Sequence, residues 1–246
     1  MTKHTIGFDR ELQLAWLDLT AGLVQEGLDL GQIRRELLSR LNDEIPGEKA
    51  CKNTITVLTR IWVRVSPENH ALHREALTLI SKVLPEERLW LHWGMSLLAY
   101  PFFHDVATTV GRFIQLQQQL ESVQVQRRMR ESWGQRTTVE RAVSRVLKTF
   151  ANWNTVQTTT SDPYVYHLSC VRQTTDSKLA LWFIESLIQS ARQAAGQNDR
   201  QIPLIDLIQS PAAFPFDLTA HAATLRRSDR FQVSHQGLDL EMVTPS

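Results

Sequence analysis

The chain has 246 residues, 42% of them hydrophobic, which suffices for a buried core in one large domain or two small ones. Lys and Arg number 27 against 26 Asp and Glu, a formal net charge of +1 and a pI near 7.9, so the total charge names no polyanionic partner and any such partner must be argued from local charge. Apolar runs are short and broken by charge, far below the roughly 20 residues of a membrane span, and the start MTKHTIGFDRELQ lacks the apolar centre of a signal peptide. Cys51 and Cys170 form no CxxC pair and read as reduced thiols. Together these features predict a cytoplasmic protein with no membrane partner.

The first hundred residues read as a run of amphipathic helices. In ELQLAWLDLTAGLVQEG, Leu12, Ala15, Trp16, Leu19 and Leu23 recur at helical spacing, and Gly27 marks the stop. IRRELLSRL carries Ile33, Leu37, Leu38 and Leu41 as the next stripe, and Pro46-Gly47 breaks the chain. NTITVLTRIWVRV predicts a third helix, with its β-branched residues keeping a strand in play as far as Trp62. Ser66-Pro67-Glu68 and Pro85-Glu86-Glu87 each place a proline at the first helical position and an acid in the first turn, and so open two further helices. After Pro101, FFHDVATTVGRFIQLQQQL supplies Val106, Val110, Phe113 and Ile114 at the same spacing. Nothing repeats at a fixed period, which argues against a solenoid.

Beyond residue 154 the texture changes. NTVQTTTSDPYVYHLSCV sets Val, Thr and Tyr around a Ser-Asp-Pro turn and predicts a β-hairpin. SKLALWFIESLIQSARQAAG predicts a strong helix ending at Gly196. The tail from Pro203 mixes prolines with a short helix and two strand candidates, Phe231 to Ser234 and Leu240 to Val243. Its Phe214, Phe216 and Leu218 are too apolar for a free tail, so it is expected to pack on the body.

The charge is concentrated in RRMRESWGQRTTVERAVSRVLK. Seven basic residues face two glutamates between Arg127 and Lys148, a local excess of +5 that leaves the rest of the chain at −4. Thr137 and Glu140 have the spacing of a capping box, placing a helix start at Thr138, and Gly134 gives a tight turn after VQVQRRMRESW. Val139, Ala142, Val143, Val146, Leu147 and Phe150 then form one apolar face. Arg141, Ser144, Arg145 and Lys148 fall opposite, with no acid between Arg141 and Lys148.

A short helix, a turn, a helix with a basic outer stripe and a hairpin resemble the winged helix-turn-helix family of DNA-binding domains over roughly residues 106–171. The resemblance implies that 123–133 is the supporting helix, 138–152 the recognition helix for the major groove, and the turns between Thr155 and Pro163 the wing. The order of parts, with KNTITVLTRIW in a helical body followed by YPFFHDVATTVGRFIQLQ and the helix-turn-helix, is also similar to the BrxA-type, NusB-like proteins of BREX phage-defence systems. The tail from Ile202 onward has no counterpart there.

Chemistry independent of any family points the same way. Arg141, Arg145 and Lys148 suit phosphate contact, and arginine also reads guanine edges. Arg136 and Thr137 stand at a helix N-terminus, where backbone N–H groups favour a phosphate. Thr158, Thr159, Thr160 and Ser161 offer hydroxyl donors at the wing. The expected DNA-binding set is Arg127, Arg128, Arg130, Arg136, Thr137, Thr138, Arg141, Ser144, Arg145 and Lys148. An ordinary solvated helix face is the alternative.

Catalytic patterns are thin. His70 and His73 share a helical face without a completing ligand set, and His92 between Trp90 and Trp93 reads as a half-buried partner of a backbone carbonyl. Asp43, Glu44 and Glu48-Lys49 flank a Pro-Gly turn and make only a loose acid set. No phosphate-cradling or nucleophile-elbow motif occurs. Trp133 and Trp153 are expected to clamp the basic helix pair to the core, and Trp62, Trp90, Trp93 and Trp182 to fill it.

The expected fold class is therefore mainly α: a helical body (1–100), a winged helix-turn-helix-like unit (101–175), and a C-terminal helix with a small α+β tail packed on the body (176–246). The expected function is non-enzymatic binding of duplex DNA in a phage-defence system, with no metal or cofactor. RNA and protein partners in a defence complex are further candidates, and a helical scaffold without DNA contact is the alternative function.

Overall fold

Helix α5 (Arg88–Ala99) buries every residue from Leu89 to Leu98, and the other helices are arranged around it. The computed structural model describes residues 6–159, 162–197, 200–237 and 240–246. Helices α1 (Leu14–Gln25), α3 (Glu48–Trp62), α4 (His70–Ile80), α6 (Pro101–Gln117) and α9 (Ser177–Ala195) pack directly on α5, and α2 (Leu30–Leu41) lies against α1 and α3. A helix surrounded this way has no polar stripe to spare, which is why RLWLHWGMSLLA is apolar on all sides.

The ambiguous NTITVLTRIW is helical throughout. Ile55, Leu58, Ile61 and Trp62 face the core, while Thr54, Thr56 and Thr59 donate their hydroxyls back to carbonyls of their own helix, at Ala50, Lys52 and Thr56. Burial of that apolar stripe outweighs the weak strand preference of the β-branched residues.

Downstream, α6 leads through β1 (Gln119–Glu121) into α7 (Ser122–Trp133), α8 (Thr137–Asn152), β2 (Val156–Thr158) and β3 (Val165–Leu168). The strands form an antiparallel sheet of order β1-β3-β2, with Leu120 opposite Tyr166 and Gln157 opposite His167. The hairpin is thus present, while β1 is too short to have signalled itself by alternation. Thr160 and Ser161 lie outside the described residues.

The tail folds back on the body. Short helices α10 (Leu204–Ile208) and α11 (Ala222–Arg227) flank a second antiparallel sheet of order β4-β6-β5, built from β4 (Ile202–Pro203), β5 (Phe231–Gln236) and β6 (Leu240–Pro245). Phe214, Phe216 and Leu218 are buried, and the Pro211–Ala213 turn lies so close on α6 that a Cβ at Gly111 would stand 1.9 Å from the Pro211 carbonyl oxygen. Of the described residues, 63% are helix and 11% strand, so the fold is mainly α. No helix among the described residues is long and apolar enough to cross a membrane.

His92 departs from the sequence expectation. Instead of a half-buried ring on a backbone carbonyl, it is fully buried on α5 and its Nε2 meets the Asp18 carboxylate of α1 at 3.1 Å, with Arg88 Nη1 at 3.5 Å from the same oxygen. Burial holds the imidazole below its ordinary value, against the pull of Asp18. Burial alone would raise the Asp18 carboxyl, but the His92 hydrogen bond and the Arg88 guanidinium outweigh it and hold that group low. His73, bonded to the Trp62 carbonyl, is likewise depressed by burial.

Because the unfolded chain protonates these histidines first, stability is lost as pH falls below about 6.5, by up to about 1.4 kcal/mol per pH unit for the fully buried His92 and by less for the half-buried His73. The melting temperature should drop between pH 7.5 and 5.5, and His92→Gln should reduce that dependence. A melting temperature constant over this range would contradict the assignment.

Candidate nucleic-acid interface

Helix α8 begins at Thr137, one residue earlier than its sequence suggests, and the expected capping box is not made. Arg136 is the N-cap residue, no side chain caps the first turn, and Glu140 turns instead to Arg130 Nη1 of α7 at 2.9 Å. The carboxylate gains more from a guanidinium on the neighbouring helix than from reaching back to its own N-cap. Val139, Ala142, Val143, Val146, Leu147 and Phe150 are all fully buried, so the apolar face is as the spacing predicts. Trp133 and Trp153 both clamp the pair: Trp133 packs on Phe102 and donates to Asp105, and Trp153 is fully buried against Trp93 and Phe103.

Outward from that face, Thr138, Arg141, Ser144, Arg145 and Lys148 line one wall of an open cleft of about 600 Å³. Its other wall is the N-terminal segment from Ile6 to Arg10, which carries Arg10 and Asp9. Four cations, Arg10, Arg141, Arg145 and Lys148, therefore share one concavity. Among the described residues neither Arg141 nor Lys148 is within ion-pair distance of any acid.

The opposing segment is held firmly. Phe8 and Leu12 are fully buried, and Phe8 lies edge-on to Tyr100 at 5.3 Å. Gly7 has φ +65°, and a Cβ there would stand 2.9 Å from the Tyr100 ring, so this turn requires glycine. The Leu12 amide donates to Thr149 Oγ1 of α8 at 3.0 Å, and Asn152 donates to Glu11 at 3.1 Å. Glu11 also approaches Arg145 Nη1 at 3.5 Å. The acid-free stripe of α8 thus receives one carboxylate from a distant part of the chain.

The remaining expected residues sit outside the cleft. Arg127 and Arg128 are exposed on α7 and both face Glu131, at 3.9 and 2.9 Å. Arg130 is committed to Glu140, and Arg136 Nη2 donates to the Trp133 carbonyl at 3.0 Å, closing the end of α7. Thr137 is exposed at the start of α8. Arg10 is the one cleft cation that sequence reasoning missed: flanked by Asp9 and Glu11, it creates no local excess of charge.

Sites considered for catalysis do not assemble. His70 and His73 each meet a backbone carbonyl, of Val65 and Trp62. Glu44 accepts from Trp16 Nε1 while Glu48 pairs with Lys52, so the loose acid set is dispersed. Among the described residues no three or more His, Cys, Asp or Glu side chains gather as a metal site would require. No protein-family model matches the chain, and no curated protein and no solved structure matches it either.

Proposed function

We propose that the chain is a non-enzymatic duplex-DNA-binding protein that seats the phosphate backbone in the cleft between α8 and the N-terminal segment. The observation carrying this reading is the convergence of Arg10, Arg141, Arg145 and Lys148 on one concavity, which Thr138 also lines. The uncapped N-terminus of α8 adds free N–H groups for a further phosphate. The order α6-β1-α7-α8-β2-β3 supports the winged helix-turn-helix reading, in which Arg141 and Arg145 also reach base edges. A role in phage defence rests on the resemblance of the order of parts to BrxA-type proteins.

Duplex binding measured across a salt series tests the proposal. Four phosphate contacts give a log–log slope of about −3.6, and competition with RNA of equal length is expected to favour the DNA duplex. Affinity that does not change with salt overturns the reading. Glu11→Gln, which removes the carboxylate facing Arg145, should tighten duplex binding about two- to fivefold, as expected for an exposed ion pair.

Protein docking is the second reading, favoured by the exposed Val123 and Tyr164, on segments joined by the Ser122 N–H to Tyr164 carbonyl bond at 2.9 Å. Size-exclusion chromatography with and without duplex separates the two. A shift with DNA supports the first reading, and none supports the second.

A further inference from the structure

The second sheet ends in a strand with one neighbour. Its order is β4-β6-β5, and β5 pairs with β6 without a bulge, from Phe231 opposite Pro245 to Gln236 opposite Leu240. The register decides which backbone groups point away from β6. Pro245 has no N–H to offer Phe231, whose own N–H turns to the Ser228 carbonyl at 3.2 Å, while the Ser246 N–H reaches the Arg230 carbonyl at 2.9 Å. The ladder bonds of β5 therefore fall at Gln232, Ser234 and Gln236. Val233 and His235 present both N–H and C=O on the outer edge, and among the described residues no other segment takes up those groups.

Edge strands are ordinarily guarded by a charge, a proline or a bulge. FQVSHQ has no Asp, Glu, Lys, Arg or Pro, and only its Phe231 is buried. Phe231 and Val233 pack on the core, so alternation leaves Gln232, Ser234 and Gln236 on the solvent face. The nearest charges are already engaged, Arg230 by Glu75 and Glu185 and Glu241 by Arg226.

This neutrality selects a second copy of the chain as the partner of the edge. When identical strands pair antiparallel about a two-fold axis, a charge near the axis faces its own kind, and like charges directly opposite are destabilising. With the axis at Ser234, Val233 lies opposite the second copy's His235, and each of the two symmetric pairs exchanges both backbone bonds. Ser234 then meets its own counterpart and Gln232 meets the second copy's Gln236, all neutral groups able to hydrogen-bond. A formal net charge of +1 adds little long-range repulsion between copies.

We propose that the chain forms a two-fold dimer through β5, joining the three-stranded sheets of two copies edge to edge into one continuous sheet. The edge shares no residue with the lining of the duplex cleft. Sedimentation equilibrium of the full chain without nucleic acid therefore tests it apart from the DNA reading. The mass should rise from 28.2 kDa toward twice that value as concentration increases. A Kd of about 100 µM would leave about two thirds of the chains paired at about 300 µM.

His235→Pro removes one outward N–H and no ladder bond, a position where an edge strand tolerates proline. Ser234→Lys sets two ammonium groups against each other across the axis. Both variants are expected to stay at the monomer mass throughout, with melting temperatures near that of the wild type. Should His235→Pro unfold, Ser234→Lys on the solvent face decides alone. A wild type that remains monomeric at about 300 µM overturns the proposal. So does a dimer that persists in either folded variant, since it would use another surface.

Discussion

Trp93→Ala is expected to remove about 3–5 kcal/mol of stability, the cost of truncating a large buried aromatic. The indole is fully buried, and its ring meets Phe103, Phe150, Trp153, Phe214 and Phe216 at centroid distances of 4.9 to 6.0 Å. Its Nε1 also donates to the Ala212 carbonyl at 2.9 Å, which the alanine variant leaves buried and unpaired. Such a loss is a large share of the 5–15 kcal/mol by which domains are ordinarily stable. Urea denaturation measures it directly, and a loss below about 1 kcal/mol would show that the cluster does not hold the fold together.

That cluster also bears on how the chain unfolds. Its rings come from α5, α6, α8, the turn after α8 and the C-terminal tail, so the three segments expected from sequence meet around a single indole. The basic helix α8 is anchored there through Phe150 and Trp153, which fixes its inner face and leaves its outer face to the cleft. Unfolding by fluorescence and by far-ultraviolet circular dichroism should therefore give coincident transitions.

Much of this arrangement was legible because helical periodicity is a local property. The stripe from Val139 to Phe150 and the stop at Gly196 need only neighbours within a few turns, and both stand where spacing puts them. The hairpin after Thr155 and the strands at Phe231 and Leu240 announced themselves by β-branched residues around turns. Strand β1 did not, because three residues show no alternation and its existence depends on pairing with β3.

The candidate site was legible on one wall only. Periodicity separates the inner and outer faces of α8, but it contains no information about what lies opposite. The segment carrying Arg10 has no regular structure, and its burial through Phe8 and Leu12 is a tertiary fact. Long-range pairs escape local reading in the same way: Glu11 with Arg145 and Asp18 with His92 join residues far apart in sequence. By contrast, the pairing of Arg127 and Arg128 with Glu131 is an i+4 and i+3 relation, visible in the sequence yet hidden when the basic residues are merely counted.

Reversing Arg141 and Lys148 together is the most direct test of the proposed cleft, and its expected effect on binding is the largest. Both side chains are exposed, neither has an acid within ion-pair distance among the described residues, and both line the concavity, so replacing them with glutamate changes charge without disturbing the buried face. Removing a cation from a phosphate reduces the salt slope by about 1, and each new carboxylate repels the backbone. Duplex affinity of Arg141→Glu with Lys148→Glu, measured across a salt series beside the wild type, should fall at least about tenfold with a slope shallower by about 2 and an unchanged melting temperature. An affinity and slope equal to those of the wild type would contradict the assignment of this cleft to DNA.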